Sequence, residues 1–293
     1  MTKKKGVVTR RDFIRGTVGA SIGVTLLGPE WLKGIENREI RSSVVIVRDR
    51  RAMDEAMNVD KNVLEKMLEQ TLIKVTGKNN VKDAWLSLVS PGDVIGLVPT
   101  PHLNPTHDEV IEVVKSSLVA AGIPAGNIRN AQGRSVNLQS ITALISLPGL
   151  KAHWLTGIGT VLKNYILYSG APRNYHNQNS AKMGEIWNRP EVKGKTKLVL
   201  VDALYPLCDK GPQPDPRYKW AYNGLIAGTD PVAVEAVCLK IITAKREALR
   251  GEPWPLSPPP ICLEAADKVY KLGTGNLRNI DIQTVGWDKE LLI

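Results

Sequence analysis

The chain predicts an α/β fold, a single domain with a largely parallel or mixed central sheet flanked by helices. Three observations lead there. Short, wholly apolar runs such as Val44-Val45-Ile46-Val47 are what strands buried on both faces require. Between such runs lie segments with apolar residues at three- and four-residue spacing, so strands and helices alternate along the chain. The 293 residues are 43% hydrophobic, enough apolar side chain for one substantial core.

Taken in order, residues 44–47 predict a buried strand. Residues 60–74 predict a helix, with Val63, Leu64, Met67, Leu68 and Leu72 on one face. A short helix over 81–89 is closed by Pro91-Gly92-Asp93, and a strand over 94–98 enters the proline-rich loop 99–105. Thr106 and Glu109 have the spacing of a capping box for a helix over 107–121, which Gly122-Ile123-Pro124 ends. A strand follows over 127–131. In the second half, residues 151–166 form a glycine-containing segment and 169–180 a polar loop. Strands are expected over 197–202 and 225–227. Asp230 at the N-cap with Pro231 behind it starts a helix running to about residue 249. A proline-rich excursion over 253–260, a helix over 261–272 and a strand over 280–285 complete the chain.

The first thirty residues stand apart from this pattern. Lys3, Lys4 and Lys5 lead into Arg10-Arg11-Asp12-Phe13-Ile14 and then a weakly apolar, uncharged run over 16–28. This order resembles a twin-arginine export signal, which implies a protein carried folded across a membrane by the twin-arginine translocation machinery to the periplasm or another extracytoplasmic space. The apolar run is shorter than the ~20 residues a membrane span needs. Gly28-Pro29-Glu30-Trp31 offers no obvious small-x-small cleavage site, so both a cleaved signal and an uncleaved tether are open, and contact with the membrane is expected through this segment alone. Residues 1–30 are therefore set aside as an address and 38–290 as the α/β domain.

Composition removes several functions. The net charge of +10 invites a nucleic-acid reading, but residues 1–28 hold six basic side chains and one acid, leaving the rest at +5. That mild excess is not a basic stripe interleaved with aromatics, and nucleic acid is not an expected partner. Cys208, Cys238 and Cys262 are widely spaced, so no Fe–S cluster or zinc ribbon can be built from this chain's own thiolates. An oxidising compartment would allow one disulfide and one free thiol, although Cys238 in an apolar helical run suits a buried thiol better. No Walker loop, G-x-S-x-G elbow, H-E-x-x-H pair or complete dinucleotide fingerprint is present.

In open α/β sheets ligands gather beyond the carboxyl ends of the strands. His107 opens a helix just after the 94–98 strand, where free backbone N–H groups favour an anion, with Thr106 beside it. A solvated His107 and a Thr106 that merely caps would explain both equally well. The densest polar cluster is Lys151, His153, Gly157, Thr160, Lys163 and Asn164. As a helix it would place His153, Gly157, Thr160 and Asn164 on one face, suited to a ligand's close approach; helix–helix packing would use the glycines equally. Asp202 at a strand end could hold a cation or a hydroxyl, or end the strand for turn reasons, and Asp230 is most simply a cap. His176 lies in the polar loop as a lid residue or a bystander.

Together, Pro105-Thr106-His107-Asp108-Glu109-Val110, Lys151-Ala152-His153, residues 157–164, Val201-Asp202-Ala203, Gly211-Pro212 and Asp230-Pro231-Val232-Ala233-Val234-Glu235 resemble the family of unknown function DUF362. Relatives of this type that carry cluster domains or twin-arginine signals imply redox or cofactor association, with a redox partner protein as one expected partner. Where the resemblance implies a lysine and an asparagine before the first loop, this chain has Leu97 and Pro99, and the aspartate implied after the next strand is Asn130 or Gln132. The expectation is an exported protein that binds a metal or a small anionic cofactor or substrate and carries out redox or proton-transfer chemistry. His153 would be the acid/base, Lys151 and Lys163 anion clamps, and Asn164 and Thr160 orienting groups. Gly157, Thr106, His107, Asp202 and Asp230 would line the pocket, and His153 with Asp202 would be the metal ligands if a metal ion is the cofactor. The alternative is a non-catalytic cofactor-binding or maturation partner of another exported redox enzyme.

Overall fold

A computed structural model describes residues 42–134 and 136–293, and residues 42 onward lie in one compact unit. The export segment expected over residues 1–30 lies outside the described residues. Nine strands form one mixed, mostly parallel sheet. They are β1 (Ser42–Arg48), β2 (Ile95–Pro99), β3 (Ile128–Asn130), β4 (Ala143–Leu147), β5 (Gly149–His153), β6 (Gly157–Ile158), β7 (Thr196–Leu207), β8 (Gly224–Gly228) and β9 (Ile280–Gly286). The main order is β3-β2-β4-β7-β8-β1-β9, with β8 antiparallel to both of its neighbours and the other neighbouring pairs on this path parallel. Six α-helices flank it among the described residues: α1 (Lys61–Thr76), α2 (Val81–Leu88), α3 (Asp108–Ala120), α4 (Met183–Trp187), α5 (Pro231–Arg250) and α6 (Ile261–Lys268).

Alternation along each strand divides the core in two. In β1, Val44 and Ile46 face one apolar cluster with α4, α5 and α6, whereas Val45 and Val47 face another with α1, α2 and α3. Burial on both faces explains why these strands read as unbroken apolar runs. The helix starts follow local chemistry. Asp60 and Asn80 cap α1 and α2, and Asp230 accepts from the backbone N–H groups of Val232 and Ala233 at α5.

Two local expectations are corrected. The Thr106/Glu109 capping box does not form, because Thr106 Oγ1 accepts from Thr100 N at 2.9 Å and donates to Leu147 O at 2.5 Å, closing the loop after β2. Helix α3 begins one residue later at an N-cap, His107, with no side-chain cap of its own. Residues 151–164 are not a helix either. Strands β5 and β6 make an antiparallel hairpin with His153 paired to Gly157. The chain leaves β4 at Pro148, and β5 then runs beside the carboxyl half of β7, carrying the hairpin to the carboxyl edge of the sheet. Gly157, which a helix would have placed on a ligand-facing or packing face, instead follows the turn with φ +75°.

Candidate functional site

The carboxyl edge of β2, β4 and β7 carries two hollows separated by the loop 99–104, which contributes Thr100 and Pro101 to both. The first, about 170 Å³, is lined by Lys151, His153, Gly159, Lys163 and Asn164 beneath a rim of Pro101, His102 and Leu103. Lys151 and His153 come from the hairpin, Lys163 and Asn164 from the segment after it, and Thr100 and His102 from the loop.

Lys151 is 5% exposed. Its Nζ donates to the carbonyls of Leu103 at 2.9 Å and Asn104 at 3.1 Å. Both residues sit in the left-handed region, with φ of 57° and 66°, and this turn aims their carbonyls at the amine. Lys163 Nζ lies 2.7 Å from His176 Nε2, and the His176 ring stacks on His153 with centroids 5.5 Å apart. Burial, with the charge of Lys163 added, lowers the Lys151 pKa to about 7; burial lowers Lys163 to about 8. Burial, then Lys163, His176 and Lys151, push His153 down to about 2, so its ring is neutral at pH 7. Its Nδ1 accepts from Leu155 N at 3.1 Å, which leaves Nε2 as the protonated nitrogen. Among the described residues no carboxylate pairs with either lysine.

The remaining predicted residues have other duties. Asn164 Nδ2 donates to Val98 O at 2.7 Å and Ser146 Oγ at 3.0 Å, tying the segment after the hairpin to β2 and β4. Thr160 Oγ1 bonds the backbone of Lys151, accepting from its N–H at 3.1 Å, so it positions the lysine and offers nothing to a ligand. Gly157 has φ +75°, and a Cβ there would fall 2.6 Å from Pro258 O, so the close approach is to the 258–260 backbone. Gly159 is the glycine at the hollow, where a Cβ would sit 3.0 Å from the Cβ of His153.

His107 lines the second hollow, of about 600 Å³, and Asp202 is its buried hydrogen-bond partner. The buried Asp202 carboxylate accepts from His107 N at 2.7 Å, lies 2.6 Å from His107 Nδ1 and accepts from Leu204 N at 3.0 Å. It thereby supplies the cap that Thr106 does not. Burial disfavours a charged His107, but the hydrogen bond and charge of Asp202 prevail and hold its pKa above the ordinary value. With Asp202 so engaged, and no three His, Cys, Asp or Glu side chains gathered as a metal-binding group among the described residues, the residues present do not fit a metal on His153 and Asp202. Asp230 lies at the opposite edge of the sheet, since β8 runs antiparallel; besides its cap it bonds Ser42 and Thr274. All three cysteines are buried and unpaired, as the apolar setting of Cys238 suggests for that thiol.

Residues 109–240 match the DUF362 model, a domain of unknown function. No curated protein and no solved structure gives a significant match. The DUF362 match contains the whole hairpin, both lysines, Asn164, His176 and Asp202. Of the positions where this chain departs from the DUF362 resemblance, Pro99, Asn130 and Gln132 line the second hollow, and Leu97 is buried in β2.

Glu235, at the end of Asp230-Pro231-Val232-Ala233-Val234-Glu235, is not among the residues the sequence pattern singles out. It is fully buried on α5 and accepts from Val161 N at 2.8 Å and Leu162 N at 3.4 Å, anchoring the backbone that carries Lys163. Burial raises its pKa to about 7. Its signal was present: one carboxylate inside an apolar helical run must find buried donors. His176 could not be assigned from its polar loop, because only the fold lays it on His153.

Proposed function

We infer that this protein binds a small organic oxyanion in the lysine hollow and moves a proton at it. One observation carries the reading: buried Lys151 and half-buried Lys163, neither with a carboxylate partner among the described residues, line a single cavity of about 170 Å³. An uncompensated buried cation is costly, and an anionic guest supplies the missing countercharge. The volume suits a guest of a few heavy atoms. Lys163 is the anion clamp, with His176 holding its ammonium. His153, neutral with Nε2–H free, is a hydrogen-bond donor to the guest, and Lys151 is the group that exchanges a proton near neutral pH. Export of the folded chain through the N-terminal segment remains part of this proposal.

Oxalate titrated into the full chain tests it. The expected result is saturable binding in calorimetry and a rise in Tm, with affinity falling at least tenfold in Lys163→Gln while the fold, followed by circular dichroism, is kept. Equal affinity in wild type and Lys163→Gln would remove the clamp and the reading with it.

A further inference from the structure

We propose that Lys151 is a covalent amine nucleophile, forming an imine with the keto group of a small 2-oxo acid whose carboxylate is held by Lys163. The proposal rests on the anion-binding reading above and adds a bond to it.

The geometry of Nζ is the starting point. A neutral amine has two N–H groups and one lone pair, and here two carbonyls, Leu103 O and Asn104 O, stand at hydrogen-bonding distance. With both N–H groups engaged, the lone pair points away from the loop and into the cavity that the side chain lines. A surface lysine has neither feature, because its ammonium rotates freely in water. The neutral form is accessible because burial and the neighbouring Lys163 both oppose the charge. Lys163 differs in its partner and its charge: its Nζ meets a ring nitrogen of His176 rather than two loop carbonyls, and burial lowers its pKa only to about 8. The two lysines therefore divide the labour, one amine to attack and one cation to bind.

The step balances without an oxidant or reductant. The Lys151 lone pair attacks the keto carbon, forming the N–C bond, and the carbonyl π pair moves to oxygen, which takes a proton as the nitrogen loses one. The resulting carbinolamine takes a proton from solvent on its hydroxyl, which leaves as water when the nitrogen pair forms C=N, giving an iminium with one N–H. That N–H keeps one of the two loop carbonyls. His153 Nε2–H lines the same cavity and is placed to donate to the departing oxygen. The iminium withdraws electrons from the substrate's neighbouring carbon, so loss of a proton or of carbon dioxide there is the chemistry it would promote.

Incubating the full chain with pyruvate and sodium borohydride, followed by peptide mass mapping, tests the proposal. The expected product is a secondary amine at Lys151, heavier by pyruvate less one oxygen atom, absent when borohydride is omitted and suppressed by excess oxalate. Lys163→Gln should reduce labelling at least tenfold by weakening binding, and Lys151→Met should abolish it. Calorimetric binding of pyruvate or oxalate with no adduct at Lys151, or an adduct confined to other lysines, would overturn the covalent role and leave the anion site standing. If neither pyruvate nor oxalate binds, both readings fall together. Because the adduct is mapped in the wild-type protein, the result does not depend on a variant that folds poorly.

Discussion

His153 shows how burial sets the state of a single residue. Its ring lies among Lys151, Lys163 and His176, and burial together with these cations holds its folded pKa at about 2 against 6.5 in an unfolded chain. The unfolded state therefore binds the extra proton first, and stability falls as pH drops below 6.5. At pH 5 the loss from this group is about 2 kcal/mol, from 1.5 pH units at 1.36 kcal/mol each. Urea unfolding at pH 7 and pH 5 should show His153→Gln losing about 2 kcal/mol less than wild type over that interval. Glu235 acts in the opposite direction: its pKa is raised to about 7, so its contribution is present below about pH 4.5 and is lost as pH rises through 7. The difference between wild type and variant is therefore the measure, and equal slopes would show that the His153 ring titrates normally. At this scale the sequence pointed to Lys151, His153 and Lys163 by type and spacing. It was silent on Lys151 bonding two loop carbonyls and on His176 stacking, since both partners come from distant segments.

Among the elements, the hairpin β5–β6 decides whether the site exists. Gly157 lets the turn pass against the 258–260 backbone with φ +75°, and Gly159 leaves room for the His153 ring. Gly157→Ala should cost about 3 kcal/mol, combining the left-handed strain with a backbone collision that no rotamer relieves. Denaturant unfolding measures that loss, and weaker oxalate binding should accompany it because His153 shares the hairpin. A stable Gly157→Ala with full affinity would contradict the packing described. The helices α1, α2, α3 and α5 were legible because each carries a long periodic apolar face or a cap. The hairpin was not, because a five-residue strand joined to a two-residue strand lacks the length for any periodicity to show. Strand β4 was missed because Ser146 interrupts the apolar run that marks the other buried strands.

The whole molecule joins distant parts of the chain through the sheet. Arg48, 2% exposed, is sandwiched between Tyr222 and Trp287 at 4.0 and 4.4 Å and donates to Tyr222 O and Lys289 O, which fastens the C-terminal tail to β1. If the export proposal is right, a folded domain of this kind is the translocated species. Replacing both Arg10 and Arg11 by Lys should then leave the protein in the cytoplasm of an exporting bacterial host, as cell fractionation would show. Unchanged distribution would retire the twin-arginine proposal without touching the anion site.

Local sequence was enough to specify the α/β class, most helix starts and the identity of the polar cluster. Those features depend on periodicity, caps and residue type within a few positions of one another. It took the three-dimensional arrangement to put the cluster on and after a hairpin, His107 in a separate hollow with buried Asp202 bonded to it, and Asp230 on a helix start at the far edge. The reason is register. Direction and pairing of β5, β7 and β8 determine which side chains share an edge, and the β5–β7 pairing joins residues about fifty positions apart, beyond any local pattern.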